Sequence, residues 1–257
     1  MKIASWNVNS LKVRLPHVLD WLKAHQPDVL ALQETKLRDE NFPVEEIKEA
    51  GYHVIFSGQK TYNGMAIISK YPAENIVTDV PGLNDPQRRI LGANIGKLRI
   101  LDLYVVNGQE LESDKYEYKL DWLSKVTEFI RKDLINNANY IVLGDFNIIP
   151  ADADSYDPEV WHDRIFCSDP EREALQKIIK LGFKDSFRLF DQEEKTFSWW
   201  DYRQVAFRRN RGLRIDLILA SNALAENCQS SIVDKEPRKL ERPSDHAPVV
   251  AEFDLTL

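Results

Sequence analysis

The sequence predicts an α+β fold in which β-sheets stack as a sandwich with helices layered outside them. Short apolar, β-rich runs outnumber the segments with helical periodicity, and the helical segments fall between clusters of strands instead of alternating with them one for one. No Gly/Ser linker, low-complexity tract or residue-level repeat divides the 257 residues, so one domain over 1–257 is expected. With 43% hydrophobic and 10% aromatic residues, the chain can bury a large core.

Taken in order, Lys2 to Trp6 reads as a first strand leading into Asn7-Val8-Asn9. Pro16 suits the first turn of a helix with Val18, Leu19 and Leu22 on its inner face, ended by Pro27. Val29-Leu30-Ala31-Leu32 is a buried-strand run closing in Gln33-Glu34, and Pro43 opens a short helix that stops before Gly51. Strands dominate from Tyr52 to Asn107, clearest at Ala66–Ser69, Ile90–Ile95 and Arg99–Val106, with turns at Asn63-Gly64 and Gly96-Lys97. From Asp114 to Asn137 the period changes: Tyr116, Leu120, Leu123, Val126, Ile130 and Leu134 mark a long amphipathic helix.

Tyr140-Ile141-Val142-Leu143 is another buried-strand run, and Gly144 lets the backbone turn after it. If the extended conformation persists, Asp145 and Asn147 project to one face before Pro150 stops the pairing. A polar and aromatic loop from Ala151 to Cys167 precedes the capping box Ser168-Asp169-Pro170-Glu171, which opens a helix closing at Gly182. Ile215 to Ala220 is a strand carrying Asp216, and Ser244-Asp245-His246-Ala247-Pro248 leads into the closing strand Val249–Phe253.

Composition narrows the function. No apolar run reaches the ~18 residues a membrane helix needs, and no secretory signal opens the chain. Two cysteines, Cys167 and Cys228, are too few for a disulfide framework or a cysteine zinc site, so a reducing compartment, the cytoplasm, is expected. A formal charge of −7 argues against bulk attraction to nucleic acid but leaves room for a local basic surface.

Polar tips recur where apolar strands end: Asn7 and Asn9, Glu34, Tyr104 and Asn107, Asp145 and Asn147, Asp216, then Asp245 and His246. One such tip is ordinary; the repetition suggests convergence on one pocket. Oxygen ligands dominate, which suits magnesium or manganese better than zinc. Phosphate loops, nucleophile elbows and dinucleotide fingerprints are missing from the sequence, leaving metal-assisted hydrolysis of a phosphate ester. Each tip also has a bland reading: Glu34 in an ion pair, Asp216 paired with Arg214, Asp245-His246 capping a turn. The arginines Arg203, Arg208, Arg209, Arg211 and Arg214 interleave with Trp199, Trp200, Tyr202 and Phe207. That mixture suits phosphates and unstacked bases, and equally suits a solvated loop with its aromatics in the core. Lys36, Lys60, Arg88 and Arg89 could extend a basic surface.

The segments SWNVNSLKVRL, PDVLALQETKL, YNGMAIISK, YVVNG, GDFNIIPADAD, GLRIDLILAS and PSDHAPV, in this order from end to end, resemble exonuclease III-type apurinic/apyrimidinic endonucleases of the endonuclease/exonuclease/phosphatase superfamily. The resemblance implies a four-layer α/β sandwich with two central mixed or antiparallel β-sheets flanked by helices, and a Mg2+ (or Mn2+) phosphodiesterase. Its expected partner is double-stranded DNA with abasic sites or damaged 3′ ends, met by a monomer that needs no membrane. By position, Glu34 matches the metal-binding glutamate, with Asn7, Asp145, Asn147 and Asp245 as further metal-linked groups. Asp145, with Asn147 beside it, matches the aspartate that orients or activates water; Asp216 and His246 match a carboxylate–imidazole pair; Tyr104 and Asn107 match phosphate contacts. Asn9, Lys36, Arg88, Arg89, Arg203, Arg208 and Arg209 are expected at the DNA. Trp199, Leu213 and Ile215 are expected around an abasic sugar, Leu213 standing where some relatives carry tryptophan. The Tyr156–Ser168 loop, with Trp161, His162 and Phe166, is the candidate gate between internal sites and 3′ termini. With a strand opening at Lys2, a bacterial source and work at the nucleoid are expected. A phosphatase of the same superfamily acting on another ester is the alternative, and an inactive DNA-binding domain a third reading.

Overall fold

The structure, a computed structural model, describes residues 1–256. One six-stranded sheet contains β1 (Lys2–Asn7), β2 (Val29–Gln33), β3 (His53–Ser57), β4 (Met65–Ser69), β11 (Cys228–Val233) and β12 (Val249–Phe253), in the order β11-β12-β1-β2-β4-β3. The other contains β5 (Ala73–Val77), β6 (Ile90–Ile95), β7 (Leu98–Tyr104), β8 (Tyr140–Asp145), β9 (Phe183–Asp185) and β10 (Asp216–Ser221), in the order β5-β6-β7-β8-β10-β9. Each sheet has one parallel pair at its centre, β1 with β2 and β7 with β8, and antiparallel neighbours elsewhere.

Side-chain alternation builds four layers. Along β1, Ile3 enters the inter-sheet core, while Ala4 and Trp6 point outward under α1 (Leu11–His25) and α2 (Val44–Glu49). Along β8, Ile141 and Leu143 face the other sheet. Tyr140 and Val142 pack beneath α3 (Asp114–Asp133) and α5 (Asp169–Ile179). Both faces of each central strand are buried, which is why these strands read as unbroken apolar runs. Short α4 (Pro158–Trp161) and α6 (Asn222–Ala225) complete the helices.

The local departures from expectation have tertiary causes. α1 starts at Leu11, placing Pro16 inside the helix, because Ser10 and Leu11 give their N–H groups to the carbonyls of Glu34 and Thr35. α3 stops at Asp133, whose carbonyl takes the Asn137 side-chain amide at 2.8 Å. β8 stops at Asp145; Asn147 is left-handed at φ 48, so the two side chains do not share a strand face. The capping box at α5 is present as expected, with Ser168 and Glu171 bonding reciprocally.

Candidate active site

Both parallel pairs run out at the same rim, as parallel strands commonly do at a ligand crevice. Asn7 ends β1, Glu34 follows β2, Tyr104 ends β7, Asp145 ends β8, and Asp216 opens β10 directly opposite Asp145 in register. His246 arrives on the loop before β12. Ser244 fixes that loop by donating its hydroxyl to the Asn7 carbonyl at 2.7 Å and accepting the His246 N–H at 3.2 Å. Asn9, Glu34, Lys36 and Asn147 all have left-handed backbones, at φ 43, 53, 55 and 48. Such conformations persist in non-glycine residues only where neighbours impose them. At Glu34 the neighbour is the Asn63-Gly64 turn, whose carbonyls accept the Lys36 and Thr35 N–H groups at 2.9 and 3.0 Å.

The Asn7 amide donates to Glu34 Oε1 at 2.9 Å and to Asp145 Oδ2 at 3.0 Å. Asp145 Oδ1 accepts the Asn147 N–H at 2.9 Å, and the Asn147 amide donates to the Val105 carbonyl at 2.9 Å. His246 Nδ1 lies 2.9 Å from Asp216 Oδ2, and its Nε2 lies 3.8 Å from Asp145 Oδ2. Ser198 completes the chain by donating to Asp216 Oδ2 at 2.6 Å. Glu34, Asp145 and His246 bring one ligand atom each within 4.8 Å of one another, a group able to hold a metal ion. Burial, reinforced by the Asp216 charge, raises the Asp145 carboxyl above its usual range against the pull of His246. Burial opposes a charged His246, but the Asp216 and Asp145 carboxylates outweigh it and raise the imidazole, favouring the protonated form. Burial, then the Glu34 and Asp145 charges, keep the Tyr104 phenol protonated.

A cleft of about 770 Å³ opens beside this cluster, lined by Glu34, Tyr104 and Asn107 together with Arg89, Gln109 and Lys115. The Arg89 guanidinium lies 4.6 Å from the Tyr104 ring centre, and Arg88 is half-buried nearby. Arg208 and Arg209 are exposed.

Several residues sit differently from expectation. Asn7 presents its nitrogen to the carboxylates, and its oxygen accepts the Asn9 N–H at 3.0 Å. Asp245 stands outside the three-residue group, its oxygens taken by Asn9 Nδ2 at 2.9 Å and by the Trp199 indole at 3.0 Å. Lys36, expected at phosphate, pairs with Glu34 Oε2 at 2.9 Å and donates to Asn9 Oδ1. Arg203 is paired with Asp201 on the surface. Arg214 bonds Asp154 and Asp185, not Asp216. Leu213 and Ile215 are buried in a cluster with Ile149, Phe166 and Cys167, with Trp161 and Trp199 packed against it. The loop at 156–168 therefore covers them, and they do not open to solvent. Trp200 and Phe207 also turn inward onto the Arg238 guanidinium, which donates to the Ser244 carbonyl, while Tyr202 flanks Arg238 and stays exposed. Trp200 and Phe207 brace the His246 loop.

Three contributors escaped the sequence reading. Ser198 and the buried Gln33–Asp102 contact, Nε2 to Oδ1 at 2.6 Å between the sheets, leave no mark in the pattern. Lys119 does: it occupies an inward position of α3, three residues after Tyr116 and four before Leu123.

Fold and site together define the class: a sandwich hydrolase with an oxygen-rich, metal-competent cluster at the rim of two sheets. Residues 4–246 match the Endonuclease/Exonuclease/phosphatase family, and the chain belongs to it. It is 37% identical to exodeoxyribonuclease III of Haemophilus influenzae, over 98% of this chain and 100% of that protein. A 3′ phosphatase from Neisseria, solved with a product DNA hairpin, shares 48% identity at a TM-score of 0.97, covering 99% of this chain and 100% of that one. An AP endonuclease from Archaeoglobus fulgidus shares 37% identity at a TM-score of 0.96, over the same 99% and 100%.

Proposed function

We propose that this protein is a divalent-metal-dependent DNA phosphodiesterase that cleaves 5′ to abasic sites and removes 3′-blocking groups and 3′-nucleotides. The convergence of Glu34, Asp145 and His246 carries the reading. The substrate class comes from the relatives, an exodeoxyribonuclease III, a DNA-bound 3′ phosphatase and an AP endonuclease.

The donor set fits a hard cation, Mg2+ or Mn2+: carboxylate oxygens of Glu34 and Asp145, tied to one amide, come within 4.8 Å of each other and of a His246 ring nitrogen. Glu34 and Asp145 are the residues that would hold it. When bound, the cation neutralises charge on the scissile phosphate. Asp145, its Oδ1 fixed by Asn147, orients and activates the water. His246, locked by Asp216, directs a protonated Nε2 at a phosphoryl oxygen, where developing charge is best stabilised. Tyr104 and Asn107 contact the phosphate from the cleft wall, and Arg88, Arg89, Arg208 and Arg209 meet the backbone. Water attacks phosphorus in line, the bond to the 3′ oxygen breaks, and a 3′-hydroxyl leaves.

The cover that Phe166 and Trp161 form over Leu213 and Ile215 favours 3′ termini over internal flipped sugars. The test is a side-by-side assay on abasic duplex and on nicks ending in 3′-phosphate or 3′-phosphoglycolate. End trimming outpacing incision is expected; the reverse order overturns the preference. Full activity in EDTA, or in Asp145→Asn, refutes the mechanism. The acting species is a monomer, expected as a single 29.8 kDa particle in sedimentation.

A further inference from the structure

The buried face of α3 holds Tyr116, Trp122, Leu123, Val126 and Ile130, and one more member, Lys119. Its side chain is wholly buried, as is that of its ion-pair partner Glu171. A buried ammonium is costly unless fully partnered, and this one is. Besides Glu171, Nζ donates to the Asn147 carbonyl at 2.7 Å and to the Asn107 carbonyl at 3.3 Å. Gly108, at φ 89, makes room: a Cβ there would lie 3.1 Å from Lys119 Cδ.

Neither helix nor core demands this ion pair. Glu171 caps α5 through Oε2, which accepts the Ser168 N–H at 3.1 Å and its hydroxyl at 2.7 Å, while Oε1 accepts the Phe166 N–H at 3.1 Å; these roles need acceptors and not a lysine beside them. An apolar side chain would serve the core better than a lysine. What Lys119 alone supplies is a charged donor beneath two backbone carbonyls. One belongs to Asn147, which is left-handed and whose own N–H sets Asp145 Oδ1. The other belongs to Asn107, in the cleft wall.

We propose that Lys119, neutralised by Glu171, is a positioning residue that holds the Asp145–Asn147 turn and the Asn107 wall in register for hydrolysis. The proposal rests on the functional reading above.

Three variants test it: Lys119→Met, Glu171→Gln and the double variant. Each single change is expected to lower thermal stability, and Lys119→Met to reduce kcat by about 10- to 100-fold with KM nearly unchanged. In the double variant no charge is left unpaired, so stability returns towards wild type. Turnover does not return, because no donor reaches Asn147. Recovery of kcat together with stability overturns the proposal, since Lys119 is then only structural. Amide chemical shifts of Asn147 and Asn107 in the three variants give an arm independent of activity. If wild type processes no DNA, the functional reading fails, while large shifts in Lys119→Met and in the double variant still support the positioning role. Unmoved shifts overturn it.

Discussion

Asn7 and Asp145 belong to different sheets, yet Asn7 Nδ2 lies 3.0 Å from Asp145 Oδ2 and spends its second proton on Glu34 at 2.9 Å. One amide thus ties the rims of both sheets together and holds two carboxylates that a cation would bind.

That arrangement predicts that a divalent cation bound there stabilises the fold. Binding only to the folded state at about 100 times its Kd contributes about 2.7 kcal/mol. A rise in melting temperature of several degrees is expected on adding Mg2+ and its loss with EDTA. Glu34→Gln should abolish most of the rise, measured by differential scanning fluorimetry.

The Asp216–His246 contact orients the imidazole. Asp216→Asn keeps the volume but removes the charge and permits the wrong tautomer, so turnover should fall by about 10²- to 10⁴-fold with a native circular dichroism spectrum. Ser198→Ala, which loses the 2.6 Å bond to Asp216 and leaves the Ile215 and Asp216 N–H groups without the hydroxyl that accepts them at 3.1 Å, should cost about 10-fold in single-turnover assays and lower stability as well.

Gly64 is left-handed at φ 92, and a Cβ there would fall 2.3 Å from Thr35 Oγ1. Gly64→Ala should therefore destabilise by more than about 1 kcal/mol and displace the Glu34 turn. Urea unfolding and magnesium titration, read together, check both: the midpoint drops and the apparent Kd for Mg2+ rises.

Asp102 is buried between the sheets, and burial raises its carboxyl well above the usual range despite the bond from Gln33. In the unfolded chain it ionises above about pH 4. From there upward the folded state binds more protons, so this group's contribution to stability is full at low pH and declines as pH rises towards the folded-state value. The slope is at most about 1.4 kcal/mol per pH unit. Relative to wild type, Asp102→Asn should gain stability between about pH 5 and about pH 8 in urea titrations. A pH-independent difference would contradict this.

Legibility followed burial. β1, β2, β4, β6, β7, β8, β10 and β12 carry apolar runs or alternation that the sequence displays, because each lies inside a sheet. The strands not singled out, β3, β5, β9 and β11, are the four sheet edges, with partly solvated faces and no apolar run to announce them. Lys119 sits beside an apolar stripe that runs through Leu120 in the sequence pattern, and only the fold shows that Lys119 is the buried one.

By itself the sequence determined the layered α+β class, the polar tips at the ends of apolar runs and the hard-cation character of their donors, all local properties of residue type and spacing. The tertiary structure alone decided which tips come close enough to hold a cation together, that Lys36 answers Glu34, that Arg203 pairs with Asp201, and that Leu213 and Ile215 lie under Phe166. Those depend on distances between residues far apart in the chain, which sequence spacing does not encode and packing does.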